Sequence, residues 1–169
     1  MNEKLTPALR KARYEDISEM QRIFADTIAA VCKDDYSPEQ LRVWISGIHN
    51  HHRWEKMVRE QYCVVALEGE RLIGFGSLEG GSYVDFLYVH KDYLRDGVAS
   101  VLIGELLAEA ARQRTLVVSA HVSKTARAFF ERHGFAVIRE NTKVVHGVEI
   151  KNFAMSRQGH SGTTHRKFV

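Results

Sequence analysis

Apolar residues in the first third of the chain recur every three or four positions, a spacing typical of amphipathic helices. After a strand over 8–14, this spacing predicts a helix over 17–31, a second helix beginning at Ser37 and a short helix over 51–60. Asp16 is the expected N-cap of the first helix, and Ser37 with the glutamine three positions later forms the expected capping box of the second. This part of the chain therefore contributes mainly helices.

The pattern then changes to apolar runs and alternation, which indicate strands. Strands are predicted over 62–67, 72–78, 83–89, 116–122, 135–143 and 148–155. Two further helices are predicted among them, over 97–113 and 124–133. The first of these helices should make a right-handed parallel crossover in a sheet that is otherwise mostly antiparallel. The predicted fold class is α/β, with a mixed, mostly antiparallel central sheet and helices on both faces.

The distribution of charge narrows the class of partner. The chain has 169 residues and a formal net charge of +3. Residues 157–169 carry three basic side chains and no acid, so the rest of the chain is balanced. A neutral body offers no electrostatic footprint for nucleic acid. We therefore expect one domain over 1–157, a basic and flexible tail over 158–169, and no nucleic-acid partner. The sequence leaves open whether the protein forms a homodimer.

The two cysteines, Cys32 and Cys63, both lie in apolar stretches. Two distant thiols form neither a disulfide scaffold nor a zinc-binding spacing, so we expect buried thiols in a reducing compartment. No apolar leader opens the chain, and no apolar run approaches the roughly 18 residues that span a bilayer. These features predict a cytoplasmic protein with no membrane partner.

The turn after the strand at 83–89 carries the most information about function. It leads into a helix that opens at Gly97, with small residues at Ala99 and Ser100. Small residues leave the first helical amides free to bind an anion, and the helix dipole adds to the attraction. The turn lacks the Lys-Ser/Thr pair of an NTPase loop and the three spaced glycines of a dinucleotide fold. A diphosphate site and an ordinary strand-to-helix turn both remain open.

This turn resembles the Q/R-x-x-G-x-G/A motif of the GNAT superfamily of acetyl-coenzyme A-dependent N-acetyltransferases. The sequence Leu94-Arg95-Asp96-Gly97-Val98-Ala99 matches the motif at its fourth and sixth positions and departs from it at Leu94. Asp96 is a carboxylate beside the expected diphosphate, and capping the following helix would turn it outward.

A second segment, over 123–135, resembles the N-x-x-A-x-x-F-Y-E-x-x-G-F block of the same family. Ser123 stands at the Asn position and Phe130 at the Tyr position. The resemblance covers residues 8–156, and this block with the helix start at 36–40 is similar to a branch of small bacterial acetyltransferases.

The resemblance implies the GNAT acyl-CoA N-acyltransferase fold and an enzyme that moves acetyl from acetyl-CoA to an amine. The acceptor would be a small molecule or peptide, acetylated by direct attack in a ternary complex. In the family, the turn and the preceding strand hold the cofactor through main-chain groups. The cofactor-binding residues implied here are Leu87, Tyr88, Val89, Arg95, Asp96, Gly97, Val98, Ala99, Ser100, Ser123 and Phe130. The N–H of Val89 is the expected oxyanion donor.

Two side chains are candidates for proton transfer. Alternation along the strand places Asp85 on one face with Tyr83, Leu87 and Val89. Some family members carry a carboxylate base on this face; the alternative interpretation is a structural aspartate paired with an arginine or a neighbouring strand. His121 ends the strand at 116–122, where it either shuttles a proton or is simply a partly exposed residue.

Phe130 replaces the tyrosine that is the usual general acid of the family. Three explanations stay open: the thiolate leaves unassisted, His121 or Tyr88 supplies the proton, or the protein binds the cofactor with little catalysis. The last explanation leaves an alternative function, a CoA-binding sensor or regulatory module.

Acceptor recognition is expected from residues that precede the sheet core. Tyr36 and Trp44 are the candidate substrate-binding residues. The histidines of the run at 49–52 lack a partnering acid at a fixed helical spacing, so no metal site is expected there. A polar helix end or a loop between helices is the expected role of this run.

Overall fold

The computed structural model describes residues 4–159, which form a seven-stranded sheet with helices on both faces. The strands are β1 (Ala8–Lys11), β2 (Tyr62–Glu68), β3 (Arg71–Glu79), β4 (Tyr83–Val89), β5 (Val117–Ser123), β6 (Ala136–Val145) and β7 (Val148–Gln158). The helices are α1 (Ile17–Val31), α2 (Pro38–Ile45), α3 (His51–Glu60), α4 (Val98–Arg112) and α5 (Arg127–Arg132). Within the described residues β4 and β5 are the parallel pair, and the other neighbours are antiparallel. The predicted fold class is confirmed.

Of the two predicted helix caps, the one at the start of α2 is present and the one at the start of α1 is not. The capping box of α2 is present, because Gln40 N donates to Ser37 Oγ at 3.2 Å and Ser37 N donates to Gln40 Oε1 at 2.9 Å. Asp16 precedes α1 but does not cap it with its side chain. Its carboxylate instead accepts from Arg13 N and pairs with Arg10, both at 2.7 Å. This contact closes a turn of 3-10 helix at 14–16, and β1 ends sooner than predicted.

Two hydrophobic clusters lie on opposite faces of the sheet. The sheet order is β1-β2-β3-β4-β5-β7-β6, so β4 is central and α4 crosses from it to β5. One cluster packs α4 and α5 against the sheet, with Leu102, Ile103 and Leu106 fully buried. The other packs α1–α3 against the opposite face, around the rings of Phe24 and Trp54. The helices therefore cover the central strands of the sheet on both faces.

The last strand reaches beyond the predicted domain boundary. β7 continues to Gln158, and Gly159 N donates to Leu116 O at 2.7 Å. The remainder of the predicted tail, 160–169, lies outside the described residues. No helix within 4–159 combines the length and the apolar composition that crossing a bilayer requires.

Candidate active site

The first two residues of β4 pair with β5, and the two strands then separate. Parallel pairing joins Tyr83 to Ser119 and Val84 to Ala120, and these are the two pairs recorded between the strands. β4 nevertheless stays paired with β3 to its end, and β5 stays paired with β7 to its end. The facing edges of β4 and β5 therefore diverge and open a gap in the middle of the sheet, here called the central cleft.

Main-chain groups of Leu87 and Val89 line the central cleft. His90 N donates to Ile73 O at 2.8 Å, which directs the main chain of His90 toward β3. Successive residues of an antiparallel strand turn their N–H and C=O groups to alternate edges. Leu87 and Val89 consequently face the cleft. Tyr88 departs from the expectation that its main chain serves the cofactor, because its N–H and C=O face β3.

A β-bulge redirects the side chain of Asp85. Ser77 pairs with Phe86 and Leu78 pairs with Val84, so Asp85 is an extra residue on β4. A bulge interrupts the alternation of side chains between the two faces. The carboxylate therefore faces α3 rather than the α4 side. The residues that simple alternation placed on its face pack toward α4: Leu87 and Val89.

Two side chains hold the Asp85 carboxylate. Arg53 Nη2 lies 3.0 Å from Oδ1, and Gln61 Nε2 lies 2.8 Å from Oδ2. The Asp85 side chain is 12% exposed, and the Arg53 guanidinium stacks over the Phe86 ring at 4.6 Å from its centre. The arginine-paired aspartate considered as the structural alternative is thus present. A carboxylate offers about four acceptor positions, so these two bonds leave room for an incoming donor.

His121 and Tyr83 form a second polar pair on the same face of the sheet. Tyr83 Oη lies 3.0 Å from His121 Nδ1. Ala120 and Val122 pack against α4, so His121 between them points to the opposite face, where α3 holds Asp85. Burial, together with the nearby Asp85 charge, raises the pKa of Tyr83. The imidazole is exposed, so it can exchange protons with solvent.

The two candidate catalytic residues occupy equivalent places beside the cleft. Asp85 directly follows the last β4 residue that pairs with β5, and His121 directly follows the last β5 residue that pairs with β4. Both side chains lie on the face covered by α1–α3. The structure therefore brings together two residues that are 36 positions apart in the sequence.

The turn into α4 has the backbone conformation of an anion site. Gly97 is the N-cap of α4 with φ of +82°, and no side chain caps the helix. The first helical bond runs from Val101 N to Gly97 O, so the amides over 98–100 have no acceptor within the helix. Asp96 is exposed and does not cap α4, contrary to the expected alternative. Unpaired amides at a helix N-terminus fit a diphosphate.

Ser123 and Phe130 lie on the far side of the cleft. Ser123 Oγ accepts from Ala126 N at 3.1 Å and so helps to form the turn into α5. Phe130 is 5% exposed and packs edge-on against Phe135, with ring centres 5.1 Å apart. Its ring is part of the cluster under α4 and presents little surface to a ligand.

Tyr88, a candidate proton donor, is packed into the opposite cluster. Its ring lies 4.8 Å from that of Phe24 and 5.7 Å from that of Phe75, measured between ring centres. Burial raises the pKa of Tyr88. A phenol with a raised pKa keeps its proton more firmly, which makes Tyr88 a weak general acid.

Tyr36 ties the helical layer to the end of the sheet. It is 5% exposed, and its hydroxyl donates to Lys151 O at 2.7 Å and accepts from Lys124 N at 2.9 Å. The ring meets Trp44 edge-on, with centres 5.3 Å apart. The hydroxyl is thus already bonded as donor and as acceptor, while Trp44 retains partial exposure. Tyr36 acts as a structural link beside the site.

Removal of the Tyr36 hydroxyl is expected to destabilise the fold. Tyr36→Phe leaves the N–H of Lys124 and the C=O of Lys151 without this partner at a partly buried site, which costs about 1–3 kcal/mol of unfolding free energy. Urea denaturation measures the change. The control is Tyr14→Phe, since Tyr14 is 64% exposed and bonds Glu55 at the surface. We expect a loss below about 0.5 kcal/mol there, and equal losses in the two variants would contradict the structural role of Tyr36.

Three residues of this region carry no signal in the sequence. Arg53 on α3 and Gln61 after α3 are known as site residues only through their contacts with Asp85. Lys143 on β6 pairs with Ile150, whose buried side chain packs with the α1–α3 cluster, so Lys143 shares that face. Burial and the nearby Arg53 lower the pKa of Lys143.

The histidine run around α3 forms a polar helix start. Asn50 is the N-cap of α3, and its side chain accepts from Arg53 N at 3.3 Å. His49, His51 and His52 are exposed. Among residues 4–159 no group of three or more His, Cys, Asp or Glu side chains is placed to hold a metal ion.

Sequence comparisons point to acetyl transfer. Residues 32–157 match the model of the Acetyltransferase (GNAT) domain family. The chain is also 30% identical over 148 residues to the uncharacterized N-acetyltransferase YafP of Escherichia coli strain K12. That similarity covers 87% of this chain and 93% of YafP.

Solved structures share the fold. A GCN5-related N-acetyltransferase from Rhodopseudomonas palustris has a TM-score of 0.89 and 30% identity, covering 94% of this chain and 99% of that one. The PaiA N-acetyltransferase from Thermoplasma acidophilum, solved with coenzyme A, has a TM-score of 0.74 and 19% identity, with 91% and 99% covered. At this lower identity the likeness concerns the fold.

Proposed function

Because this chain belongs to the GNAT acetyltransferase family and is an acetyl-CoA-dependent acetyltransferase, we propose that it acetylates an amine of a small molecule or peptide by direct attack in a ternary complex. One observation carries the proposal. The central cleft opens at Asp85 and His121, and β4 runs from this point to the unpaired amides of α4. The proposed proton acceptors would thus lie beside the first half of β4, and the diphosphate would lie just beyond its last residue.

Main-chain groups would hold acetyl-CoA along this strand. The amides of Val98, Ala99 and Ser100 suit the diphosphate. The positive φ of Gly97 orients the backbone so that these amides face it. Leu87 and Val89 turn their main chain toward the cleft, where the pantetheine would lie. Ser123 stands on the opposite edge as a further hydrogen-bonding group. Acetyl-CoA, when bound, supplies an activated acyl group.

We assign the role of oxyanion donor to Val89. Its N–H faces the central cleft, while its C=O already accepts a bond from Thr27 Oγ1 at 2.8 Å. That bond fixes the peptide between Val89 and His90, which directly follows the peptide that carries the Val89 N–H. A fixed main-chain donor stabilises the negative charge that develops on the thioester oxygen when the amine attacks.

Asp85 and His121 would handle the proton of the acceptor. Most amines are protonated near pH 7, and only the neutral amine attacks a thioester. The Asp85 carboxylate attracts the ammonium and accepts its proton, held in place by Arg53 and Gln61. His121 is exposed and bonded to Tyr83, so it can pass the proton to solvent.

The presence of Phe130 in place of a general acid is explained most simply if the thiolate leaves without a proton from the protein. Phe130 has no acidic proton, and the raised pKa of Tyr88 makes that phenol a poor donor. A thiolate is a stable enough leaving group near neutral pH to leave unaided, since thiols ionise far more readily than alcohols.

The burial of both cysteines favours direct transfer over a mechanism with a covalent acyl-enzyme. Cys32 is 6% exposed and Cys63 is 4% exposed. Burial raises the pKa of Cys63 to about 12 and also raises the pKa of Cys32. A nucleophilic thiolate is therefore scarce at either position near neutral pH.

The test of this function is thiol release from acetyl-CoA in the presence of amines. We expect free thiol to appear with an amine acceptor, and initial rates at several concentrations of both substrates to give intersecting double-reciprocal lines. Parallel lines would overturn the ternary complex in favour of an acyl-enzyme. Cofactor binding without amine-dependent thiol release would overturn the proposed activity.

A further inference from the structure

The guanidinium of Arg53 is held in a fixed orientation, and some of its N–H donors are not used. The Phe86 ring lies under it at 4.6 Å, and one nitrogen, Nη2, bonds Asp85 at 3.0 Å. The other guanidinium nitrogens make no hydrogen bond to any residue over 4–159. The side chain is 43% exposed, so these donors are accessible. A planar, oriented guanidinium is suited to binding a carboxylate.

Lys143 adds a second cation to the same face. Its pairing with Ile150 places it on the side of the sheet covered by α1–α3. Burial and the charge of Arg53 lower the pKa of its ammonium, and the charge of Asp85 acts in the opposite direction. Within the described chain no acid lies within 4 Å of its Nζ. A cation on this face without a directly bonded acid is available to bind an anion.

The charges of this face do not balance. Two acids lie on it: Asp85, which is paired with Arg53, and Glu79, which pairs with Tyr83 across β3 and β4. Three cations share the face with them, because Arg139 pairs with Ala154 across from His121 and so joins Arg53 and Lys143. The excess is one positive charge. A polyamine would be repelled by this excess. An acceptor with a negative group beside its amine would neutralise it.

We propose that the acceptor is an amine that also carries a carboxylate, as an amino acid does, and that Arg53 and Lys143 bind this carboxylate. The ammonium end of such an acceptor would face Asp85, so a zwitterion matches the Asp85–Arg53 pair group by group. This inference rests on the proposed acetylation of an amine and names the substrate class of that same site.

Matched acceptors test the inference directly. Thiol release is measured with a set of amino acids and with the carboxamide of each, in which the amine is kept and the negative charge is lost. Wild-type protein is expected to show a kcat/KM at least about tenfold higher for the acids. Lys143→Met should remove most of this preference by raising KM for the acids, with the carboxamides unaffected.

Lys151→Met is the control variant. Lys151 lies on the same hairpin and pairs with Thr142, but its side chain is on the opposite face, 3.7 Å from Glu140. We expect wild-type kinetics with both acceptor classes. Arg53→Lys is a second variant, which keeps the charge opposite Asp85 but loses the planar fork, and it should also lose the preference for acids.

Three outcomes are decisive. Equal or better rates with carboxamides or polyamines would overturn this inference alone. Equal effects of Lys143→Met on acids and carboxamides would also overturn it, because the lysine would then act without reference to the carboxylate. Absence of thiol release with every amine would overturn the proposed function itself.

Discussion

Gly97→Val is expected to weaken coenzyme A binding by about 100-fold or more while the protein remains folded. Gly97 has φ of +82°, a conformation that a β-branched residue adopts only with strain. Relief of that strain would rotate the peptides that lead into α4 and misdirect the amides over 98–100. A Cβ would meet Lys4 Cε at 3.9 Å, an ordinary contact, so backbone conformation rather than crowding is the cause. Isothermal titration with coenzyme A measures the loss.

Gly80→Val separates loss of the anion site from general strain. Gly80 also has a positive φ, +57°, and a Cβ there would meet nothing within 4 Å. It lies in the turn before β4, whereas Gly97 follows β4, so about 20 Å of strand separates the two positions. We expect a comparable fall in melting temperature and wild-type affinity for coenzyme A. Wild-type affinity in Gly97→Val would refute the diphosphate site.

Asp85→Asn is expected to lower turnover at pH 7 by about 100-fold or more, with affinity for coenzyme A nearly unchanged. Asparagine matches aspartate in size and keeps an acceptor for Arg53, but it neither attracts an ammonium nor accepts its proton. Steady-state thiol release and calorimetric titration measure the two quantities. Raising the pH should restore part of the lost rate, because the acceptor amine then deprotonates in solution.

Charge removal elsewhere provides the control for this variant. Asp26 is an exposed residue of α1, and Asp26→Asn is expected to leave turnover unchanged. Melting temperatures of both variants show whether loss of the contact with Arg53 unfolds the protein. Unaltered turnover in Asp85→Asn would remove Asp85 from the catalytic residues. A low rate that pH does not restore would assign Asp85 a structural role instead.

The elements and the family resemblance could be predicted because their signals are local. The apolar periodicity located the helices and strands within a few residues, and the capping box at Ser37 marked the start of α2. The motif around Gly97 indicated the family, and the family match over 32–157 confirms it. Asp16 was misleading because a side chain at an N-cap position can instead bind the preceding turn, and here its pairing with Arg10 on β1 favours that turn.

The direction of Asp85 shows where local reasoning ends. Alternation is a property of one strand, and it predicted a common face with Leu87 and Val89. The bulge that turns Asp85 to the other face arises from the register between β3 and β4. The sequence of one strand does not contain this register. The partners of Asp85 likewise come from α3 and its end, 32 and 24 positions earlier in the chain.

Sequence alone thus specified the order of the elements, the bare amides at Gly97 and the acetyltransferase class, since periodicity, capping and motif spacing act over a few consecutive residues. Folding in three dimensions decided which side chains meet. It separated β4 from β5 beside Asp85 and His121, and it brought Arg53 and Lys143 to the same face. Charge interactions and strand pairing depend on distances between residues remote in sequence, so they become definite only when the sheet is assembled.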